Sequence, residues 1–528
     1  MSNHAYESAA ALRPSSNGPI PISTLCERFS LAPASAEDAA ALNDLSILGV
    51  SVDSGDTAPG ELFVGLPGFT VHGARFAADA VASGAVAVLT DADGAQIVHQ
   101  TAPGTPVLVH SDPRAVVGPL SAEVYHHPAR GLVTTAVTGT NGKTTTAYFL
   151  DAILSAHVGG CMVAGTVELR VGERSVESPR TTVEAPVLQR MMALAVEDKV
   201  GAASLEASSH AIVLHRLDGF VVDVAGFTNL QRDHLDFHKT MEGYLEAKAQ
   251  LFTPEHARRG VVCVDDQWGA ALAAKAPIEI DRVRAYPGDT PADWWVGDAA
   301  VSLTDSATTF TLHGPDGEQI EASCPLPGLV NVQNAALALV MAIRAGVPAA
   351  TATAALAGAH NIPGRMQRIS QRDGRRGLCI VDFAHTPDAM ELALKAVRPI
   401  TPGRLIVVFG SDGDRDQGKR PMLGEVCARL ADVLVVTDEN PRSEDPQLIR
   451  NAILDGVRGV RPDLKDVEEI TTWRGDAVRR GVELCGPNDT VIVTGKGHEP
   501  FLEMAGEFIR YNDAPVMAEA VEEKWGRA

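Results

Sequence analysis

Short apolar runs, each bounded by glycine, proline or aspartate, recur along the whole chain, with alanine-rich stretches of helical spacing between them. Residues 47–54, 59–64 and 84–89 read as strands, with a helix over 76–83. The run 132–137 predicts a strand, followed by a glycine-bearing turn and a helix over 143–157. Further strands are predicted at 202–205, 221–227 and 260–264. An alanine-rich helix over 332–345 ends at Gly346-Val347-Pro348, a helix-stop signal. Four near-continuous apolar runs follow, at 378–382, 405–409, 433–437 and 490–494. Such runs suit strands buried on both faces of a doubly wound parallel sheet. The chemically loaded segments come directly after them, where sites in such sheets lie.

This alternation predicts an α/β protein. The chain is expected to divide into a flexible tail (1–19) and three domains (20–130, 131–363 and 364–528). At 528 residues, each domain is large enough to bury its own core. Charge changes the picture: 45 basic against 67 acidic residues give a formal −22. That excludes a general nucleic-acid coat, which needs a basic footprint. Any anionic substrate must then be held by local devices rather than by the protein's overall field.

The seven cysteines are scattered and form no CxxC pair, so a disulfide framework or zinc site is not expected. They read as small buried hydrophobes in a reducing compartment. Residues 1–20 lack the apolar core of a secretory signal. No run of about 18 apolar residues occurs, so no membrane-spanning helix is expected.

The strongest local motif is TGTNGKTTT at 138–146, between a predicted strand and a predicted helix. Gly139 and Gly142 allow main-chain N–H groups to approach phosphate oxygens, and the helix N-terminus adds its dipole. Lys143 suits the β/γ-phosphates and the Thr144 hydroxyl suits Mg²⁺. The spacing departs from the common P-loop formula, which wants glycine where Val137 stands.

Lys248 is the second notable position. A predicted helix over 243–252 places Tyr244, Leu245, Leu251 and Phe252 on one stripe, with Lys248 in its middle, where the period calls for a core residue. A bare ammonium there is costly. On the residues alone, the lysine either snorkels to water or carries different chemistry.

The loop string resembles the ATP loop of the Mur ligases. Further strings narrow the resemblance to the MurE branch, which adds the third residue of the peptidoglycan stem peptide. They are RTT at 180–182, EASSH at 206–210, NLQRDHLD at 229–236, Ala247-Lys248, GSDGDRDQGKR at 410–420, ENPR at 439–442 and GKGHE at 495–499. The resemblance implies three α/β domains: a UDP-sugar domain, a central P-loop-type parallel sheet that binds ATP, and a Rossmann-like domain for the amino acid. It implies ATP contacts at Gly139, Thr140, Asn141, Gly142, Lys143, Thr144, Thr145, Asn331, Asn334, Arg365 and Asp382, with His385 nearby. Mg²⁺ is implied at Thr144, Glu206, His234 and Lys248, the last carrying CO₂ as a carbamate (N6-carboxylysine).

For the acceptor nucleotide the resemblance implies Val52, Ser54, Thr181, Thr182, Ser208 and Arg216, and more loosely the loop Phe69-Thr70-Val71. Gly55 stands where the family's DSR string has arginine, and Leu214 where some members carry glutamine. For the amino acid it implies Arg415, Glu439, Asn440, Pro441, Arg442, Gly495 and Glu499. ENPR matches the family's DNPR, the signature for meso-diaminopimelate, with glutamate in place of aspartate. Pro363-Gly364-Arg365 resembles a hinge on which the third domain closes.

The expected activity is therefore an ATP-dependent amide ligase, with Lys143, Lys248, Glu206 and His234 at its chemical centre. The expected substrates are ATP, UDP-MurNAc-L-Ala-D-Glu and a diamino acid. The chain is expected to be a cytoplasmic monomer without nucleic-acid or membrane partners. L-lysine as the amino acid is the nearest rival. A folate-type ligase is more distant, and so is a P-loop switch protein, which would want an NKxD base-reading string that the chain lacks.

Overall fold

A computed structural model describes residues 9–301, 307–359 and 362–526. The chain forms two compact units. One comprises the residues up to Trp295 together with Ala336–Ala355; the other comprises Val296–Ala335 with Leu356 onward.

In the first unit, a small sheet carries β1 (Gly49–Ser51), β2 (Glu61–Val64), β3 (Ala87–Thr90) and β4 (Val107–Val109) side by side in that order, all parallel. A larger sheet is built on β5 (Val133–Thr138), which leads into helix α1 (Lys143–Val158). Next come β6 (Cys161–Ala164), β7 (Glu168–Val171) and β8 (Arg174–Glu177), helix α2 (Ala185–Glu197), β9 (Ala202–Glu206) and helix α3 (Ser209–Val213). They are followed by β10 (Val222–Phe227), helix α4 (Met241–Ala249), β11 (Ala257–Cys263) and β12 (Glu279–Arg284). The strand order is β8-β7-β6-β9-β5-β10-β11-β12. All neighbours are parallel except at β7. The apolar pattern does not reveal the pair β7–β8, because glutamate and arginine alternate with its apolar positions and only one face is buried.

In the second unit, β13 (Gln367–Ser370), β14 (Leu378–Val381), β15 (Leu405–Phe409), β16 (Val433–Val436), β17 (Val467–Glu469) and β18 (Thr490–Val493) form a six-stranded sheet. Its order is β13-β14-β18-β15-β16-β17, parallel except at β13. β14, β15, β16 and β18 are buried at every residue, as their continuous apolar runs require. Both units are thus α/β, with mostly parallel sheets.

The expected flexible tail is corrected over residues 9–19; residues 1–8 lie outside the described residues. Leu12 is fully buried in the core of the larger sheet, and Arg190 of α2 donates to the Ala9 carbonyl at 2.8 Å. Among the described residues no helix is long and apolar enough to cross a membrane.

Candidate active site

The phosphate loop connects β5 to α1. Gly142 takes φ 89° and Gly139 φ 148°. A Cβ at Gly139 would sit 1.9 Å from Thr228 Oγ1, so glycine is required there. The segment after β10 braces the loop. Thr228 Oγ1 and Asn229 Nδ2 both donate to the Asn141 carbonyl, at 2.6 and 3.1 Å. Asn229 also takes both ends of the turn: its carbonyl accepts Thr140 N–H at 2.9 Å and its Oδ1 accepts Asn141 N–H at 3.1 Å. Asn141 Nδ2 donates to Gln231 Oε1 at 2.7 Å. Lys143 curls back over the loop and donates to the Gly139 and Thr140 carbonyls, at 3.0 and 2.8 Å. Thr144 and Thr145 are buried.

β9 lies beside β5 with Glu206 opposite Val137, so its carboxylate meets the start of α1. Glu206 is 1% exposed. Its Oε2 accepts from Thr144 Oγ1 at 3.0 Å and Thr166 Oγ1 at 2.9 Å, and its Oε1 accepts Thr166 N–H at 2.8 Å. From there polar contacts continue outward. Thr166 Oγ1 reaches Thr181 Oγ1 at 3.2 Å, and Thr182 Oγ1 donates to the Glu206 carbonyl at 2.7 Å. Ser208 N–H donates to Thr182 Oγ1 at 3.0 Å, and Arg216 donates to the Thr182 carbonyl at 3.2 Å. Ser208 also caps α3. Burial lowers the pKa of Arg216, against the opposing pull of Glu184, whose Oε1 lies 2.9 Å from its Nε.

Lys248 sits on α4, fully buried beside Tyr244, Leu245, Leu251 and Phe252, as the helical period predicts. Its Nζ donates to the Gly139 carbonyl at 2.8 Å and lies 4.5 Å from the centre of the Tyr244 ring. Burial, then the charge of Lys143, lowers its pKa well below the usual lysine range. The snorkelling alternative therefore fails: the amine stays inside, donating to a main-chain carbonyl. His234 is half exposed, in left-handed backbone at φ 51°, with its ring 5.0 Å from His210 and 6.1 Å from Tyr244.

In the second unit, the segments after β16 and β18 pack into a polar cluster. Glu439 is buried; burial and the charge of Asp412 push its pKa up to about 8. Asn440 is the hub. Its Nδ2 donates to Asp412 and Glu499, each at 3.1 Å, and its Oδ1 accepts from Lys496 Nζ at 2.9 Å. Gly495 packs on Glu439: a Cβ there would lie 2.4 Å from Glu439 Oε2. The carbonyl of Pro441 lies 1.9 Å from where a Gly413 Cβ would stand. Arg442, at φ 54°, donates its N–H to the Glu503 carbonyl at 3.0 Å, and its side chain is partly exposed between Asp412 and Glu503. Arg415 is exposed.

Asp382 is half-buried in this unit. It accepts Met366 N–H at 2.8 Å and Ala384 N–H at 2.9 Å, and burial raises its pKa. Arg365 stacks 4.4 Å over the Phe383 ring. Asn331 donates to the Pro327 carbonyl at 2.8 Å and lies next to Asn334. Beside this cluster, fully buried Arg474 pairs bidentately with Asp513 at 2.8 Å. It also donates to the carbonyls of Asp438 (2.9 Å) and Thr494 (2.8 Å), the residues preceding Glu439 and Gly495.

Three family models match in succession: "Mur ligase family, catalytic domain" over residues 46–125, "Mur ligase middle domain" over 137–342, and "Mur ligase, glutamate ligase domain" over 364–497. The chain belongs to the Mur ligase family. It is similar to the UDP-N-acetylmuramoyl-L-alanyl-D-glutamate--2,6-diaminopimelate ligase of Streptomyces coelicolor, with 41% identity over 96% of this chain and 97% of that one. It is also similar to the UDP-N-acetylmuramyl-tripeptide synthetase of Leifsonia xyli subsp. xyli, with 42% identity over 95% and 96%. Among solved structures, a UDP-N-acetylmuramoyl-L-alanyl-D-glutamate--2,6-diaminopimelate ligase shares 31% identity and a TM-score of 0.63, covering 90% of this chain and 95% of that one.

The Mur ligase strings mark the loop, Glu206, Lys248 and the ENPR and GKGHE segments. They do not mark Thr166, Glu184 or the Arg474–Asp513 pair. Lys496 lies inside GKGHE, where its neighbours Gly495 and Glu499 draw the attention, although its Nζ donates to Asn440, Glu499 and the Phe501 carbonyl.

Proposed function

We propose that the protein is an ATP-dependent ligase that joins meso-diaminopimelate to the γ-carboxylate of D-Glu in UDP-MurNAc-L-Ala-D-Glu. One observation carries this reading: a relative named for that reaction matches along 96% of the chain. The phosphate-loop cradle described above agrees with it. L-lysine as the added amino acid is not favoured. The division of labour is read as nucleotide-sugar binding in residues 20–130, ATP binding in 131–363 and amino-acid binding in 364–528.

In this reading the loop N–H groups, the N-terminus of α1 and Lys143 hold the triphosphate. Asn331, Asn334, Arg365 and Asp382 serve the nucleotide's remaining parts. Thr181, Thr182, Ser208 and Arg216 orient the acceptor, with Val52 and Ser54 on its uridine side. The γ-carboxylate attacks the γ-phosphorus; the bond to the β-phosphate oxygen breaks, leaving ADP and an acyl phosphate. The free amine of the diamino acid then attacks the acyl carbon, loses a proton, and phosphate leaves. Positioning and charge neutralisation dominate such a transfer.

Mg²⁺ fits the donor set near the loop. Among the described residues no three His, Cys, Asp or Glu side chains gather into a metal cluster. Thr144 and Glu206 instead offer a hydroxyl and one carboxylate, 3.0 Å apart. That suits an ion that takes few protein oxygens and fills its shell with water and phosphate. When bound, it supplies charge neutralisation at the phosphates. His234 is the further candidate.

Lys248 is read as the carbamate. The neutral amine, which its burial favours, is the form that attacks CO₂: an N–C bond forms, one proton leaves and an anion results. The repulsion between Lys143 and Lys248 then becomes attraction. Arg442 is read as holding the distal carboxylate of diaminopimelate, a group that lysine lacks. Glu499 suits the distal ammonium, and Arg415 the amino acid's nearer end. The substrates are small polar molecules, and the reading places the enzyme in the cytoplasm, working as a monomer.

The test is to incubate the protein with ATP, Mg²⁺, the acceptor nucleotide and each diamino acid separately, then weigh the nucleotide products. A mass gain with meso-diaminopimelate is expected. No gain with any amino acid removes the reading, and a gain with lysine alone removes the specificity.

A further inference from the structure

The turn that carries Ser54 is held from outside its own sheet. It runs as a single 3₁₀ turn, Ser54–Asp56, between β1 and β2. Gly55, which stands where the family string has arginine, contributes no side chain. A different arginine reaches the same turn. Arg13 donates from Nη2 to the Asp56 carbonyl and lies 3.4 Å from Asp56 Oδ1, while its Nη1 pairs with Glu61 Oε1. One guanidinium therefore ties the last residue of the 3₁₀ turn, Asp56, to the first residue of β2, Glu61. The residue before it, Leu12, is fully buried in the core of the larger sheet, which fixes where that guanidinium can be.

We infer that Arg13 is a positioning residue for the acceptor nucleotide: it holds the main chain of the Ser54–Asp56 turn in place. The inference rests on the acceptor reading given above. The two carboxylates do not depend on Arg13 alone. Asp56 Oδ2 also lies 2.9 Å from Arg190 Nη2, and Glu61 Oε2 accepts Ala58 N–H at 2.9 Å. What Arg13 alone supplies is the donor to the turn's carbonyl and the bridge between the two acids. Its loss therefore loosens the turn without leaving a buried carboxylate unpaired, so binding changes before folding does.

The experiment measures calorimetric affinity for UDP-MurNAc-L-Ala-D-Glu and for ATP, together with KM and kcat for both, in wild type, Arg13→Ala and Arg13→Lys. Arg13→Ala is expected to weaken the acceptor nucleotide about tenfold, with KM rising in parallel and kcat and ATP affinity within about twofold of wild type. Arg13→Lys, which keeps a donor but not the fork, is expected to recover part of the loss. Unchanged acceptor affinity in Arg13→Ala overturns the inference, even if the melting temperature falls. So does an equal loss for both ligands. A wild type that binds the acceptor but forms no amide removes the ligase reading and leaves the positioning role standing on the affinity data. A wild type that does not bind the acceptor removes both.

Discussion

Thr144 Oγ1 donates to Glu206 Oε2 at 3.0 Å, joining the first turn of the phosphate-loop helix to the end of the neighbouring strand. The contact exists because β5 and β9 are parallel and in register, so the loop and the carboxylate emerge at the same edge. Glu206→Gln keeps the shape and removes the charge. It is expected to lower kcat by roughly 100-fold or more and to raise the Mg²⁺ concentration needed for half-maximal rate. Magnesium titrations of both proteins check this; an unchanged requirement removes Glu206 from the metal's neighbourhood.

Lys248→Ala is expected to lose most activity and to regain part of it with millimolar formate or acetate, whose carboxylate stands in for the carbamate. Wild type in CO₂-depleted buffer should lose activity and recover it on adding bicarbonate. Full activity of the alanine variant without any added carboxylate rules out the modified lysine.

Gly139→Ala places a methyl group 1.9 Å from Thr228 Oγ1 in a backbone region that alanine avoids. The cost is about 1–3 kcal/mol of backbone strain, in addition to the clash. ATP affinity should fall sharply. The double variant Gly139→Ala, Thr228→Ala removes the nearest atom and should recover part of it. Calorimetry on the single and double variants decides.

Arg442→Met should raise KM for meso-diaminopimelate on the order of 100-fold, as expected when one partner of a charge pair is truncated. Its effect on lysine should be far smaller. Equal effects on both amino acids place Arg442 away from the distal carboxylate.

The raised pKa of Glu439, about 8, has a definite sign in stability. Between the ordinary glutamate range and about 8, the folded protein keeps a proton that the unfolded chain has lost. Stability therefore falls as pH rises through that window, with a slope of at most about 1.4 kcal/mol for each step of one in pH. Glu439→Gln removes the titration. Its melting temperature relative to wild type should rise with pH from about 5 to about 8 and level off above. A difference independent of pH refutes the buried, protonated carboxyl.

Much of the site was legible because it obeys periods and offsets. Lys248 stood out as the one charge in an apolar helical stripe, and it is buried there. The phosphate loop declared itself by glycines at a strand–helix junction. What stayed hidden depends on partners distant in sequence. Nothing local marks Thr166 as the residue that fixes Glu206, 40 positions away. The segment 9–19 has no periodicity, yet Leu12 packs into a core made by strands more than a hundred residues later. β7 and β8 escaped because they bury only one face and carry charges on the other.

Arg474 and Asp513 tie the helix that starts at Asp513 to the segments carrying Glu439 and Gly495. The guanidinium takes the carbonyls just before Glu439 and Gly495, and the helix starting at Asp513 supplies its counter-charge. A reading frame that stopped at residue 512 would strand a buried cation beneath those segments, at a cost of about 3–5 kcal/mol. Early termination there would unseat these segments while leaving Glu439, Asn440, Arg442 and Glu499 in the chain.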